Sequence, residues 1–64
     1  MGEFITVYDT NNKPVVINLN YVAYYRAVNM AKAFEVHMPG DILYLPRAEM
    51  QKVADALHTP MPWD

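Results

Sequence analysis

Apolar positions alternate with polar ones along most of this chain and switch to a helical stripe only after Pro46. Glu3 to Tyr8 is rich in β-branched and aromatic residues and predicts a strand, and Asp9-Thr10-Asn11-Asn12-Lys13 is a dense cluster of turn formers. Pro14 to Leu19 predicts the return strand. Its Val15, Ile17 and Leu19 alternate with Val16 and Asn18, which sends one apolar row toward a core and leaves a mixed row outside. The two segments read as a β-hairpin.

The middle of the chain supports two readings. Tyr21, Tyr24, Tyr25 and Val28 have helical spacing, and Ala23, Ala27, Ala31 and Ala33 favour a helix for which Asn20 could serve as cap. Val22, Tyr24, Arg26 and Val28 have strand spacing, and the Val, Tyr and Phe content up to Val36 favours strands. We prefer two strands, Tyr21 to Val28 and Lys32 to Met38, joined near Asn29-Met30-Ala31, while a helix over 21–34 stays open.

Pro39-Gly40-Asp41 is turn chemistry, with Pro presetting φ and Gly supplying the positive φ of a type II turn. Ile42 to Leu45 must then be a strand. Pro46 suits the first position of a helix, where its missing N–H would have no partner. From Arg47 to Leu57, Met50, Val53, Ala54 and Leu57 fall at i, i+3, i+4 and i+7 and form the stripe that packs on the sheet. Glu49, Gln51, Lys52, Asp55 and His58 fall mostly off it, and a charge on His58 would complement the helix dipole. Thr59-Pro60-Met61-Pro62-Trp63-Asp64 cannot continue the helix. The expected fold class is α+β: a small antiparallel sheet of four or five short strands with one C-terminal helix, a single domain over 1–58, and an extended tail over 59–64.

Composition changes this picture in one respect. At 64 residues with no Cys, the chain is near the size at which one core barely offsets the entropy of folding, and neither a disulfide framework nor a Cys-based zinc site is open to it. Yet 53% of its residues are hydrophobic and 12% aromatic, so part of its surface is expected to meet another chain, giving a homo-oligomer. Met61 and Trp63 of the tail are candidate interface residues, because an ordered Pro-rich tail must gain contacts to offset its lost freedom.

The formal charge of −2 and the scattering of Lys13, Arg26, Lys32, Arg47 and Lys52 argue against a phosphate-tracking surface and against a polybasic membrane patch. Nucleic acid and membrane are therefore not expected partners. The opening Met1-Gly2-Glu3-Phe4, soon followed by Asp9 and Lys13, lacks the form of a signal peptide, and a cytoplasmic location is expected.

Glu35, His37 and Asp41 are the closest grouping of titratable residues, and on one strand Glu35 and His37 would share a face. A base with an orienting carboxylate could be read there, but no nucleophile or oxyanion donor accompanies it, so no catalytic residue is assigned and no enzyme is expected. Tyr21, Tyr25 and Arg26 with Asn18 and Asn20 form the better candidate. Aromatic faces and a guanidinium stack on bases, and amides read base edges, so this group is the basis of an alternative function as a nucleotide or nucleic-acid binding module at a subunit boundary. The same residue types are also enriched at protein interfaces, and that reading is preferred. The methionines read as gap fillers, and neither a metal nor another cofactor is expected.

Ile5-Thr6-Val7, Asn12-Lys13, Ile17-Asn18, Tyr21-Val22, the turn at Gly40 and the helix ending Val53-Ala54-Asp55-Ala56-Leu57 together resemble the small flagellar FlbD-like family over most of the chain. In place of the family's acidic residues after the third strand stands Arg26-Ala27. The LytTR type of DNA-binding domain looks like the same strand order, without its basic surface here. Phe34 to Leu43 is similar to the AbrB and MazE swapped hairpin, a dimeric family whose basic first strand is also missing. The expected function is that of a small non-enzymatic accessory or regulatory protein that acts as a homo-oligomer and engages a larger protein partner.

Overall fold

A computed structural model describes residues 3–62. The expectation for Trp63 lies outside these residues. Five strands and one helix follow in the order β1 (Phe4–Tyr8), β2 (Pro14–Asn18), β3 (Tyr24–Val28), β4 (Ala33–Met38), β5 (Asp41–Leu45) and α1 (Arg47–Leu57). The strands divide into two antiparallel sheets, a β1-β2 hairpin and a three-stranded sheet ordered β3-β4-β5.

The hairpin pairs Ile5 with Ile17 and Val7 with Val15, so its apolar row lies on one face. Its turn is built by Asp9, whose Oδ1 accepts the backbone N–H groups of Asn11 at 2.9 Å and Lys13 at 3.0 Å. After β2 the chain makes a short 3-10 turn at Leu19–Tyr21, where the Asn18 side chain accepts the N–H of Asn20 at 3.0 Å. This turn delays the third strand to Tyr24. Asn18 rather than Asn20 is the cap, and residues 24–28 and 33–38 are strands, which settles the ambiguity of the middle segment against the helix.

The connection between β3 and β4 has no glycine, and Asn29, Met30 and Ala31 all take left-handed backbone angles, with φ of 52°, 57° and 64°. Asn tolerates this region, whereas an ordinary L-residue is disfavoured there by roughly 1–2 kcal/mol. The turn closes with Lys32 N–H donating to Asn29 C=O at 3.1 Å. Between β4 and β5, Gly40 supplies a φ of 76°, and a Cβ added there would meet nothing within 4 Å, so its backbone angle alone calls for glycine.

Pro46 stands one place earlier than expected. It is extended, at φ −74° and ψ 168°, and caps α1 through its carbonyl, which accepts the N–H groups of Glu49 at 3.1 Å and Met50 at 2.9 Å. At the other end His58 takes φ 58° and ψ 43°, a left-handed cap usually given to glycine, and its N–H donates back to the last turn.

The core joins both sheets to the helix. Val7 and Ile17 from the hairpin, Leu19 from the turn, Phe34, Val36 and Leu45 from the three-stranded sheet, and Met50, Val53 and Ala54 from α1 are all buried. Leu57, expected to press on the sheet with them, is half-buried at the edge of this cluster. Hydrogen bonds from backbone N–H groups tie the layers: Thr10 N–H donates to Tyr44 C=O at 3.1 Å, and Tyr8 N–H donates to the Glu49 side-chain carboxylate at 3.0 Å. The tail is fastened as well. Thr59 N–H returns to Ala54 C=O at 2.9 Å, and the Tyr25 hydroxyl sits between Thr59 Oγ1 and the Pro60 carbonyl. Met61 packs half-buried against the chain's own core.

Met50→Ala should lower unfolding free energy by about 2–5 kcal/mol and Leu57→Ala by less, because only the former side chain is fully enclosed. Lys52→Ala should change little; denaturant melts that rank the three otherwise would reject this account of the helix face. Met30→Gly should stabilise by up to about 1 kcal/mol, since relief of the left-handed angle exceeds the added freedom of glycine in the unfolded chain. A lower melting temperature in that variant would contradict the backbone reading.

Candidate binding surface

Period two and the strand register decide which side chains share the outer face of the three-stranded sheet. Opposite one another stand Arg26 and Glu35, then Glu35 and Tyr44, forming one cross-strand row. The adjacent row is Tyr24, His37 and Ile42. α1 packs on the inner face with Phe34, Val36 and Leu45, so these two rows are left facing outward.

Glu35 is the centre of the polar part. Its Oε1 accepts from Arg26 Nε at 2.9 Å and from His37 Nε2 at 2.8 Å. The hydrogen bond from His37, and after it the one from Arg26, hold the Glu35 carboxyl below the ordinary carboxylate range. The Tyr24 ring stacks on the His37 ring with centroids 4.1 Å apart and planes 13° from parallel. Around this ladder Tyr24 is 53% exposed, Ile42 44% and Tyr44 46%. A carboxylate held ionised by two donors is a weak base, and the imidazole beside it is covered by a ring and engaged at Nε2. The arrangement is therefore suited to presenting a stiff, amphipathic surface. Its charges are partly neutralised, and its aromatic rings stand ready for contact.

Of the residues singled out from sequence, Glu35 and His37 do share a face and a hydrogen bond. Asp41 does not join them; its carboxylate accepts the N–H of Ile42 at 2.8 Å at the start of β5. The aromatic and amide group is divided. Arg26 lies on the outer face, whereas its neighbour Tyr25 points inward to the tail at Thr59 and Pro60. Asn18, Asn20 and Tyr21 gather instead at the 3-10 turn. Asn18 and Tyr21 line a shallow, open cleft of about 340 Å³ with Phe4, Val16, Met38 and Asp41. Tyr24, Ile42 and Tyr44 were not singled out. The signal for Tyr24 was its i, i+2 relation to Arg26, but Ile42 and Tyr44 join the face only through pairing across β4.

Among the described residues no group of three or more His, Cys, Asp or Glu is placed to hold a metal ion, and no helix is long and apolar enough to cross a membrane. Compared with protein-family models, curated proteins and solved structures, the chain matches none.

Because the folded pKa of Glu35 is depressed, its contribution to stability is fully present above the ordinary carboxylate pKa and is lost as pH falls through the lower folded value. Glu35→Gln cannot ionise, so the stability gap between it and wild type should be open at neutral pH and close progressively in acid. Thermal melts across that range that show a constant gap would remove Glu35 from the acid response.

Proposed function

We propose that this chain is a non-catalytic protein-binding module that works as a homo-oligomer and serves a larger protein partner in an accessory or regulatory role. The observation that carries this reading is the outer face of the three-stranded sheet, where Tyr24, Ile42 and Tyr44 stand about half-exposed around the Arg26, Glu35 and His37 ladder. Aromatic residues and Arg over a sheet, with few free charges, are the composition of a protein interface core. Further exposed apolar side chains, Phe4 at 63% and Val16 at 65%, stand on the hairpin. In a domain with so small a core, covering such surface also adds stability that the isolated chain lacks.

The nucleotide alternative has less support in the geometry. Tyr25 and Arg26 address opposite faces, and the guanidinium that would meet a phosphate is already paired with Glu35.

Light scattering after size exclusion at micromolar concentration should give a mass that is a multiple of 7.4 kDa. Calorimetry with mono-, di- and cyclic nucleotides should give no saturable heat. A monomer at every concentration would overturn the oligomer reading, and nucleotide binding that Arg26→Ala abolishes would overturn the protein-binding one.

A further inference from the structure

We infer that two copies of this chain join edge to edge through β3, making one continuous six-stranded antiparallel sheet with the two-fold axis at Tyr25. The inference rests on the homo-oligomer reading above and supplies its route. β3 is an outermost strand, and among the described residues no further strand pairs with its second edge. Tyr24–Val28 contains no Pro, Lys or Gly to guard a free edge, and its one charge, on Arg26, is paired with Glu35 of β4. The opposite edge of the sheet differs: there Tyr44 C=O already accepts the N–H of Thr10.

What selects a second copy as the occupant is the order of side chains. Val22-Ala23-Tyr24-Tyr25-Arg26-Ala27-Val28 reads nearly the same in both directions about Tyr25. Antiparallel self-pairing about that residue sets Tyr24 against Arg26 within β3 and Ala23 against Ala27 and Val22 against Val28 at its end, each pair formed twice by symmetry. Ala23 and Val22 precede the strand and give their N–H groups to His37 C=O at 2.8 Å and Leu19 C=O at 3.3 Å, so these outer pairs meet through side chains. Residues directly opposite in an antiparallel pair share a face, so a two-fold axis must pass through a residue and not between two. An axis at Arg26 would oppose two guanidinium groups, and an axis at Ala27 would run Tyr24 into the left-handed turn at Met30. The axis at Tyr25 places each guanidinium by a tyrosine ring, where the cation and the π face attract. It also makes the outer face continuous. One row then runs Tyr44, Glu35 and Arg26 of one copy into Tyr24, His37 and Ile42 of the other, following the register within each sheet. Such a contact is isologous and closed, so it ends at a dimer instead of growing into a fibre.

Charge placed at position 24 tests the register. Tyr24→Lys sets an ammonium opposite Arg26 of the other copy, whereas Tyr24→Glu sets a carboxylate there, so the Lys variant should dimerise about tenfold or more weakly than the Glu variant. Both variants lose the same stack on His37, so their difference reports the partner strand. Sedimentation equilibrium reads the constants, with circular dichroism confirming the fold. Because the chain has no Cys, Tyr25→Cys should cross-link to a covalent dimer on mild oxidation, two like residues facing one another at the axis. If Tyr25→Cys proves unfolded through loss of its contact to the tail, the position 24 pair decides alone. A dimeric wild type in which Lys and Glu at position 24 behave alike, or in which folded Tyr25→Cys does not cross-link, would overturn the β3 pairing and leave the oligomer reading standing. A monomeric wild type would overturn both.

Discussion

Neither sheet of this protein can bury its apolar face without α1. A two-stranded hairpin is at best marginal alone, and a three-stranded sheet with one greasy face needs a cover. Met50, Val53 and Ala54 meet both needs from one stripe of one short helix. The orientation of that helix is fixed by polar contacts at its start. The Pro46 carbonyl closes the first turn, and Glu49 reaches across to the Tyr8 N–H while also accepting from Lys52 at 3.0 Å. Lys52 Nζ in turn lies 5.9 Å from the Tyr8 ring centroid. Entropy lost in ordering the chain is thus offset in one shared core, and the outward side of the three-stranded sheet is left free to carry other residues.

That freedom explains the character of the exposed face. An uncovered sheet face in water would ordinarily be occupied by charged and small polar side chains. Here one carboxylate serves two cationic or neutral donors, and aromatic and aliphatic side chains stand around it. The Glu35 ladder holds Arg26 and His37 in fixed directions, so the entropy of ordering them is spent on folding and not again on binding. Preorganisation of this kind favours recognition by shape and stacking over recognition by net charge.

Much of the fold was legible because local signals agreed. The hairpin had alternation on both sides of an Asp-rich turn, the Gly40 turn had its Pro-Gly pair, and Arg47 to Leu57 had a stripe of the right period. Tyr21 to Met38 was less legible, since a left-handed turn built from Asn, Met and Ala carries no composition mark, and the 3-10 turn at Leu19 shifted the third strand by three residues. The division into two sheets also lay beyond the sequence, because it depends on where α1 sits. For the surface, adjacency misled: Tyr25 and Arg26 are neighbours in the chain and therefore point to opposite sides of a strand. Glu35 and His37, two apart, were correctly paired. Ile42 and Tyr44 belong to the face through register with β4, a long-range property that no local window contains.

The left-handed turn at residues 29–31 has a chemical consequence. It lifts Met30 to 93% exposure, while Met50 is enclosed and Met38 and Met61 are half-covered. A thioether in open water is the one that peroxide reaches first, and its conversion to sulfoxide at a loop tip leaves every core contact in place. Met30 is therefore the described methionine most open to oxidation. The sulfur of Met50, on which the packing of both sheets rests, is shielded by its own burial for as long as the fold stays closed.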